Sequence, residues 1–326
     1  ETYDVTLGDI FAVQDQIATK IVRALAQRMA GPELPDAVSG GARTTDMEAY
    51  ELFLLGRHYW TKRGEENVRR SIALFQAALD RDPDYAEAWA ALASAFAVLP
   101  AYTQGVTRHT SERAAAEAAR KTLALDETIG EAYAVLAAID TVDRDWFSTE
   151  DNYARALTFA PNDTTALLWY AEFLAMMGRN QDSLAYLRRA MELDPLSAAV
   201  SGVRGWVHLM ADDVDRAGFY LAESWDQGLR VTFIWFGIFM TRIQAADFEG
   251  AEAWLAERPD QTGIAADQVY LEARREPSVE SRGRAAQVIG EALEADGLWP
   301  YVACAYYIGI GDLDSAYDIA DEAIRS

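Results

Sequence analysis

Thirty-four residues separate Ala115 from Thr149, and the same step leads on to Ser183, Ala217, Ala251 and Ala285. Each of these small residues sits in a run patterned like SIALFQAALDRDP, where Ser71 is followed by Phe75 four positions later and by Ala78 seven later. The hydrophobe recurs as Tyr153, Leu187, Leu221, Leu255 and Ile289, with Ala119 the small member of the series. Pro83, Pro161 and Pro195 close their runs, where a missing N–H ends a helix. Another apolar-patterned run accompanies each, marked by Trp89, Tyr133, Leu167, Ser201, Trp235 and Val269. A register kept over five steps restricts the chain to an array of two-helix units. No single unit buries its own apolar face, so neighbours must stack.

Two helices in thirty-four residues is the signature of the tetratricopeptide repeat, or TPR. The expected fold is all-α: a TPR right-handed superhelical solenoid of about eight helix-turn-helix units over residues 45–326, preceded by one extra N-terminal helix. The first unit carries a few additional residues in TKRGEENVRR, and the second carries the insertion VLPAYTQGVTRHTSE. In the N-terminal segment, Ile10, Val13, Ile17, Ile21 and Leu25 fall on one helical face, and the linker GPELPDAVSGGARTT follows. Residues 1–44 are therefore read as the tail of a preceding domain, an amphipathic helix and a Gly/Pro linker. The opening ETYDVTLGDIF reads as the interior of a longer chain.

Composition narrows the function. A net charge of −23 opposes binding to a phosphate backbone, which needs clustered Lys and Arg, so no nucleic-acid partner is expected. No run reaches the roughly eighteen apolar residues of a membrane span, and the single Cys304 allows no intrachain disulfide. These features fit a cytoplasmic protein without a membrane contact. No catalytic or metal constellation is apparent: His58, His109 and His208 lie apart from one another, and no cofactor is expected. Gly309 and Gly311 sit in an inter-helix turn and lack the Lys and Ser/Thr of a phosphate loop. The chain is read as a binding module and not an enzyme.

A resemblance sharpens that reading. YDVTLGDIFAVQDQIATKIVRAL followed by EAYELFLLGRHYW resembles the C-terminal region of bacterial signalling proteins, among them class III adenylate cyclases and winged-helix transcriptional regulators. DRDWFSTEDNYARALTFAPND, WYAEFLAMMGR and RRAMELDPLS resemble the later repeats of the same group, and the likeness runs from about Tyr3 to Ser197. It implies a cytoplasmic regulatory TPR module whose output, a cyclase or a DNA-binding domain, lies elsewhere.

Where such a module would bind is suggested by VTFIWFGIFMTRIQ, Val231 to Gln244, which lacks the wet face of a surface helix. Projected on the TPR register, Trp235, Ile238 and Phe239 are core, whereas Phe233, Phe236 and Met240 face the concave groove. Together with Glu172, Met176, Trp206, Met210, Arg242, Tyr270 and Arg274 they form the candidate ligand-binding set. Aromatic and methionine side chains suit a small hydrophobic or amphipathic molecule. A peptide or protein in the same groove, or a homodimer, is the alternative. Two further readings stay open at this level: the superhelix could fill its own hollow or take the N-terminal helix, Ile10 to Leu25, as a plug, and Arg204 and Arg242 could pair with Glu172 or Asp247 or extend their stems to water.

Overall fold

The computed structural model describes residues 44–103, 108–258, 263–295, 298 and 300–325. The extra N-terminal helix and most of the linker expected before the array lie outside the described residues. Among those described there are sixteen α-helices and no strand. The chain divides into two compact units, Glu1–Pro195 and Leu196–Ser326.

The first unit contains α1 (Met47–Lys62), α2 (Glu65–Arg81), α3 (Ala86–Val98), α4 (Arg108–Leu125), α5 (Gly130–Val142), α6 (Trp146–Phe159), α7 (Thr164–Met176) and α8 (Asn180–Leu193). The second contains α9 (Ala198–Met210), α10 (Val214–Asp226), α11 (Thr232–Gln244), α12 (Phe248–Trp254), α13 (Ile264–Arg275), α14 (Val279–Glu294), α15 (Pro300–Ile310) and α16 (Leu313–Arg325). Helices pair in sequence as antiparallel hairpins, four in each unit, and α3 also meets α5, as α5 meets α7 and α9 meets α11. The insertion in the second repeat begins as a 3-10 turn, Leu99–Ala101.

Burial follows the thirty-four-residue register. Ser71, Ala115, Thr149, Ser183, Ala217, Ala251 and Ala285 are all 0% exposed, which places every small anchor at a helix–helix contact. The hydrophobes four positions on, including Phe75, Tyr153, Leu187, Leu221 and Ile289, are buried beside them. Small residues let the backbones approach, and the larger ones fill the space between.

The turns within hairpins repeat as well. Arg144, Gly178, Asp212 and Ala246, spaced by the same thirty-four residues, all adopt positive φ of 58–72°. The N–H of the residue after each reaches back to a carbonyl five positions earlier, as in Asp145 to Asp140 and Asp247 to Arg242. This left-handed stop satisfies carbonyls left orphaned at the helix end. Asp145, Asp213 and Asp247 then cap the next helix by accepting from Ser148, Arg216 and Gly250 N–H groups. One residue thus ends a helix and its neighbour starts the next.

Gly205 shows how tightly the hairpins close. A Cβ there would lie 2.5 Å from Leu221 Cγ and 2.9 Å from the Leu221 backbone nitrogen. Gly205→Ala should therefore lower stability by about 1 kcal/mol, overpacking outweighing the better helix propensity of alanine. A fall in the thermal midpoint checks this; a rise would mean that α9 and α10 can separate without loss.

The sixth repeat departs from the pattern. Phe239 stands where the other first helices place Gly56, Ala93, Ala137, Ala171, Gly205 and Ala273, and it is 0% exposed. Its partner α12 has only seven residues before tightening into a 3-10 turn, Leu255–Glu257. The position seven after the anchor holds Arg258, where Ala78, Thr122, Ala156, Ala190 and Ser224 stand in other repeats.

Candidate functional site

The helix that contains VTFIWFGIFMTRIQ is enclosed on nearly every side by aromatic rings of its own unit. Trp235 and Phe239 are fully buried and stacked with centroids 5.3 Å apart. Phe236 is buried between Trp206, at 6.0 Å, and Tyr306, at 5.7 Å. Tyr270 is buried and stacks on Tyr306 at 4.2 Å, and Met240 is buried too. Phe233 is the exception: it stacks on Trp206 at 5.4 Å, and both rings remain partly open to water. The Trp206 indole N–H is nonetheless buried and has no acceptor among the described residues. Met210, four residues on from Trp206 along α9, is exposed.

Three arginines of this unit, Arg242, Arg274 and Arg204, are occupied. Arg242 donates to Asp247 Oδ2 at 2.8 Å and lies over the Trp254 ring, so it takes the intramolecular pair. Arg274 donates to the Tyr270 hydroxyl at 3.3 Å and to the Gly309 carbonyl at 3.2 Å. Arg204 covers the Tyr220 ring at 4.0 Å. Of the ten residues expected to bind a ligand, Trp206, Met210 and Phe233 thus keep an open side, whereas Phe236, Met240, Tyr270, Arg242 and Arg274 are engaged by neighbours.

A buried ionic cluster lies beneath the aromatics and was not foreseen from the sequence. Arg258 pairs with Asp267, their side chains 6% and 0% exposed. Tyr306 donates its hydroxyl to the same carboxylate, and Arg258 stacks over Trp235 at 4.8 Å. Burial, followed by the Asp267 charge, holds the Tyr306 phenol well above its ordinary range, so it remains a donor. The one sequence signal was the break in register at position 258.

Glu172 and Met176 belong to the first unit. Met176 is exposed at the end of α7. Glu172 is half-buried and makes no hydrogen bond or ion pair among the described residues. Burial alone pushes its carboxyl up to about 7. It shares a face with Arg57, which the sequence reading passed over; Arg57 donates to both Glu131 oxygens, at 2.9 and 3.2 Å. That bond joins α1 to α5, two repeats apart. It reaches across the intervening repeat, on the side where the stacked first helices of a TPR array line the concave face. Asp163, the cap of α7, lies close by, where burial and the Glu131 charge raise its carboxyl. Among the described residues, no group of three or more His, Cys, Asp or Glu is placed to hold a metal ion. None of the described helices is long and apolar enough to cross a membrane.

Hairpin register, left-handed turns and burial together define an all-α TPR solenoid. Solved structures with the same fold include the human IFIT1 dimer with m7Gppp-AAAA, 15% identical, covering 98% of this chain and 78% of that one at a TM-score of 0.57. A tetratricopeptide repeat protein from Parabacteroides merdae is 12% identical over 81% of this chain and 99% of that one, at a TM-score of 0.50. Pseudomonas aeruginosa pilF is 18% identical over 72% and 99%, also at 0.50. At these identities the likeness is one of fold. No protein-family model matches the sequence, and no curated protein matches it.

Proposed function

We propose that the chain is the ligand-sensing regulatory module of a bacterial signalling protein, and that its second unit holds a small hydrophobic or amphipathic molecule against Trp206 and Phe233. The observation that carries this reading is the Trp206 indole, whose N–H is buried without an acceptor while its ring and that of Phe233 stay partly open. A buried donor left unmade is costly, and an amphipathic molecule offers both an acceptor and apolar cover. Phe236 and Met240 form the floor beneath the two rings, and Met210 stands at the rim. Covering each open ring adds on the order of 1 kcal/mol or more.

The sequence likeness from Tyr3 to Ser197 supports the signalling assignment and a cytoplasmic location. The IFIT1 structure contains a capped oligoadenylate, but its likeness to this chain is of fold alone, and a net charge of −23 works against a polyanion.

Native mass spectrometry of the freshly purified chain tests the proposal. A monomer with extra mass that disappears on denaturation is the expected result. Trp206→Phe keeps a ring for stacking and removes the N–H, so it should retain about tenfold less of that ligand. A bare dimer would instead favour a protein-interaction scaffold, and a bare monomer would leave the aromatic run as core.

A further inference from the structure

His208 lies near the C-terminal end of α9, and its ring is buried in the α9–α10 hairpin. Nδ1 is 3.3 Å from Asp213 Oδ2, so the carboxylate holds the ring proton on Nδ1 and leaves Nε2 bare. Nε2 is itself buried and has no hydrogen-bond partner among the described residues. The ring stacks on Tyr220 of α10 at 5.6 Å. Backbone and side chain act on one turn: the His208 carbonyl accepts from the Ala211 and Asp213 N–H groups, and Asp213 caps α10 by accepting from the Arg216 N–H.

The charges around the ring suit its neutral form. Arg204, one turn earlier on α9, covers the same Tyr220 ring at 4.0 Å. Arg216 donates to the same Asp213 oxygen at 3.2 Å, so that carboxylate already has a cation. Glu223 of α10 accepts from the Ser201 hydroxyl instead. On α11, which also packs against α9, the one charged residue is Arg242, and it is bound to Asp247. That pair occupies the positions of His208 and Asp213 one repeat later. A cation is accepted there because water reaches it: the Arg242 side chain is 35% exposed, the His208 side chain 5%. A proton on Nε2 would bury an N–H without an acceptor and bring a second cation to a carboxylate that Arg216 already matches. Burial accordingly holds the imidazole below its ordinary range; Asp213 opposes the shift, and Arg204 and Arg216 add to it.

We propose that His208 is an acid-sensitive latch on the α9–α10 turn: neutral, it closes the turn between Tyr220 and Asp213; protonated, it loosens the hairpin and frees the helix that holds Trp206. The latch rests on contacts within the hairpin and not on what the second unit binds. Its sign follows from burial. The unfolded chain takes up the proton at about 6.5 and the folded chain only at lower pH, so the latch is fully closed above about 6.5 and weakens as pH falls below it.

Two measurements on the full chain test the proposal. NMR of the imidazole signals from pH 8 to 5 follows His58, His109 and His208, the three histidines of the sequence, each assigned by its replacement with Gln. His208 should titrate below about 6.5. Amide hydrogen exchange, corrected for the intrinsic effect of pH, reads the hairpin itself. Between pH 7.5 and 5.5, α9 and α10 should lose about fivefold in protection, the order that one proton sets over one pH unit. The helices α13 and α14 contain no histidine and should keep theirs. His208→Phe keeps a ring for Tyr220 and cannot be charged, so its hairpin should hold its protection across the same range. The titration, assigned by elimination, and the comparison of the two hairpins need no variant at position 208 to fold. The proposal is overturned if His208 titrates at about 6.5 or above, if both hairpins lose protection alike, or if the neutral variant loses as much as the unaltered chain.

Discussion

Asp267→Ala should destabilise the second unit by about 3–5 kcal/mol, the range for removing one partner of a buried ion pair. Arg258 would be left with its side chain 6% exposed and its carboxylate gone, and Tyr306 would lose the acceptor of its hydroxyl. Neither group can turn to water without displacing Trp235 or Tyr270, on which they stack. The loss should come from the orphaned charge more than from the pair itself. Asp267→Ala combined with Arg258→Met, which keeps an apolar stem against Trp235, should therefore recover most of the stability. Urea unfolding of the three proteins, followed by tryptophan fluorescence, separates these contributions. A single variant within 1 kcal/mol of the parent, or a double variant as weak as the single, would show that the cluster does not carry the second unit.

That cluster marks the limit of what periodicity can reveal. Ala115, Thr149 and Ser183 announce their burial because the constraint on them is local: two backbones must come close, and only a small side chain permits it. The left-handed turns at Arg144, Asp212 and Ala246 are less legible, since none is the glycine that would advertise positive φ. The aromatic helix lies between these cases. Its composition shows that it is covered, and its register shows which rings point inward, but the cover comes from Tyr306 and Trp206 on helices far away in sequence. Pairing is harder still. Arg242 had several candidate carboxylates along the chain, and its turn geometry brings Asp247 to it. Arg57 and Glu131 are seventy-four residues apart, and only the curvature of the first unit joins them. A repeat pattern predicts contacts within and between adjacent units; it is silent on contacts made across the hollow that those units create.

The second large effect is expected from that hollow. Glu172→Gln should make the protein more stable at pH 8 by about 2 kcal/mol and change it little at pH 4. The Glu172 carboxyl titrates at about 7 in the folded chain against 4.5 for the ordinary side chain, with burial as the cause. A raised carboxyl pKa means that the folded state keeps a proton which the unfolded state has released. Stability is then full below about 4.5, falls as pH rises through the window up to about 7, and carries the whole penalty above it. The shift sets a ceiling of roughly 3 kcal/mol, reduced because the side chain still touches water. Thermal unfolding of both proteins from pH 4 to 8 reads this directly: the curves should converge in acid and part near neutrality. Parallel curves would mean that Glu172 is hydrated after all. The neighbours do not offset the penalty, because Tyr102 and Tyr153 face the carboxylate as neutral phenols whose own ionisation it opposes. A glutamate that weakens its fold at neutral pH, where a glutamine of the same shape would not, has a reason to be there other than stability.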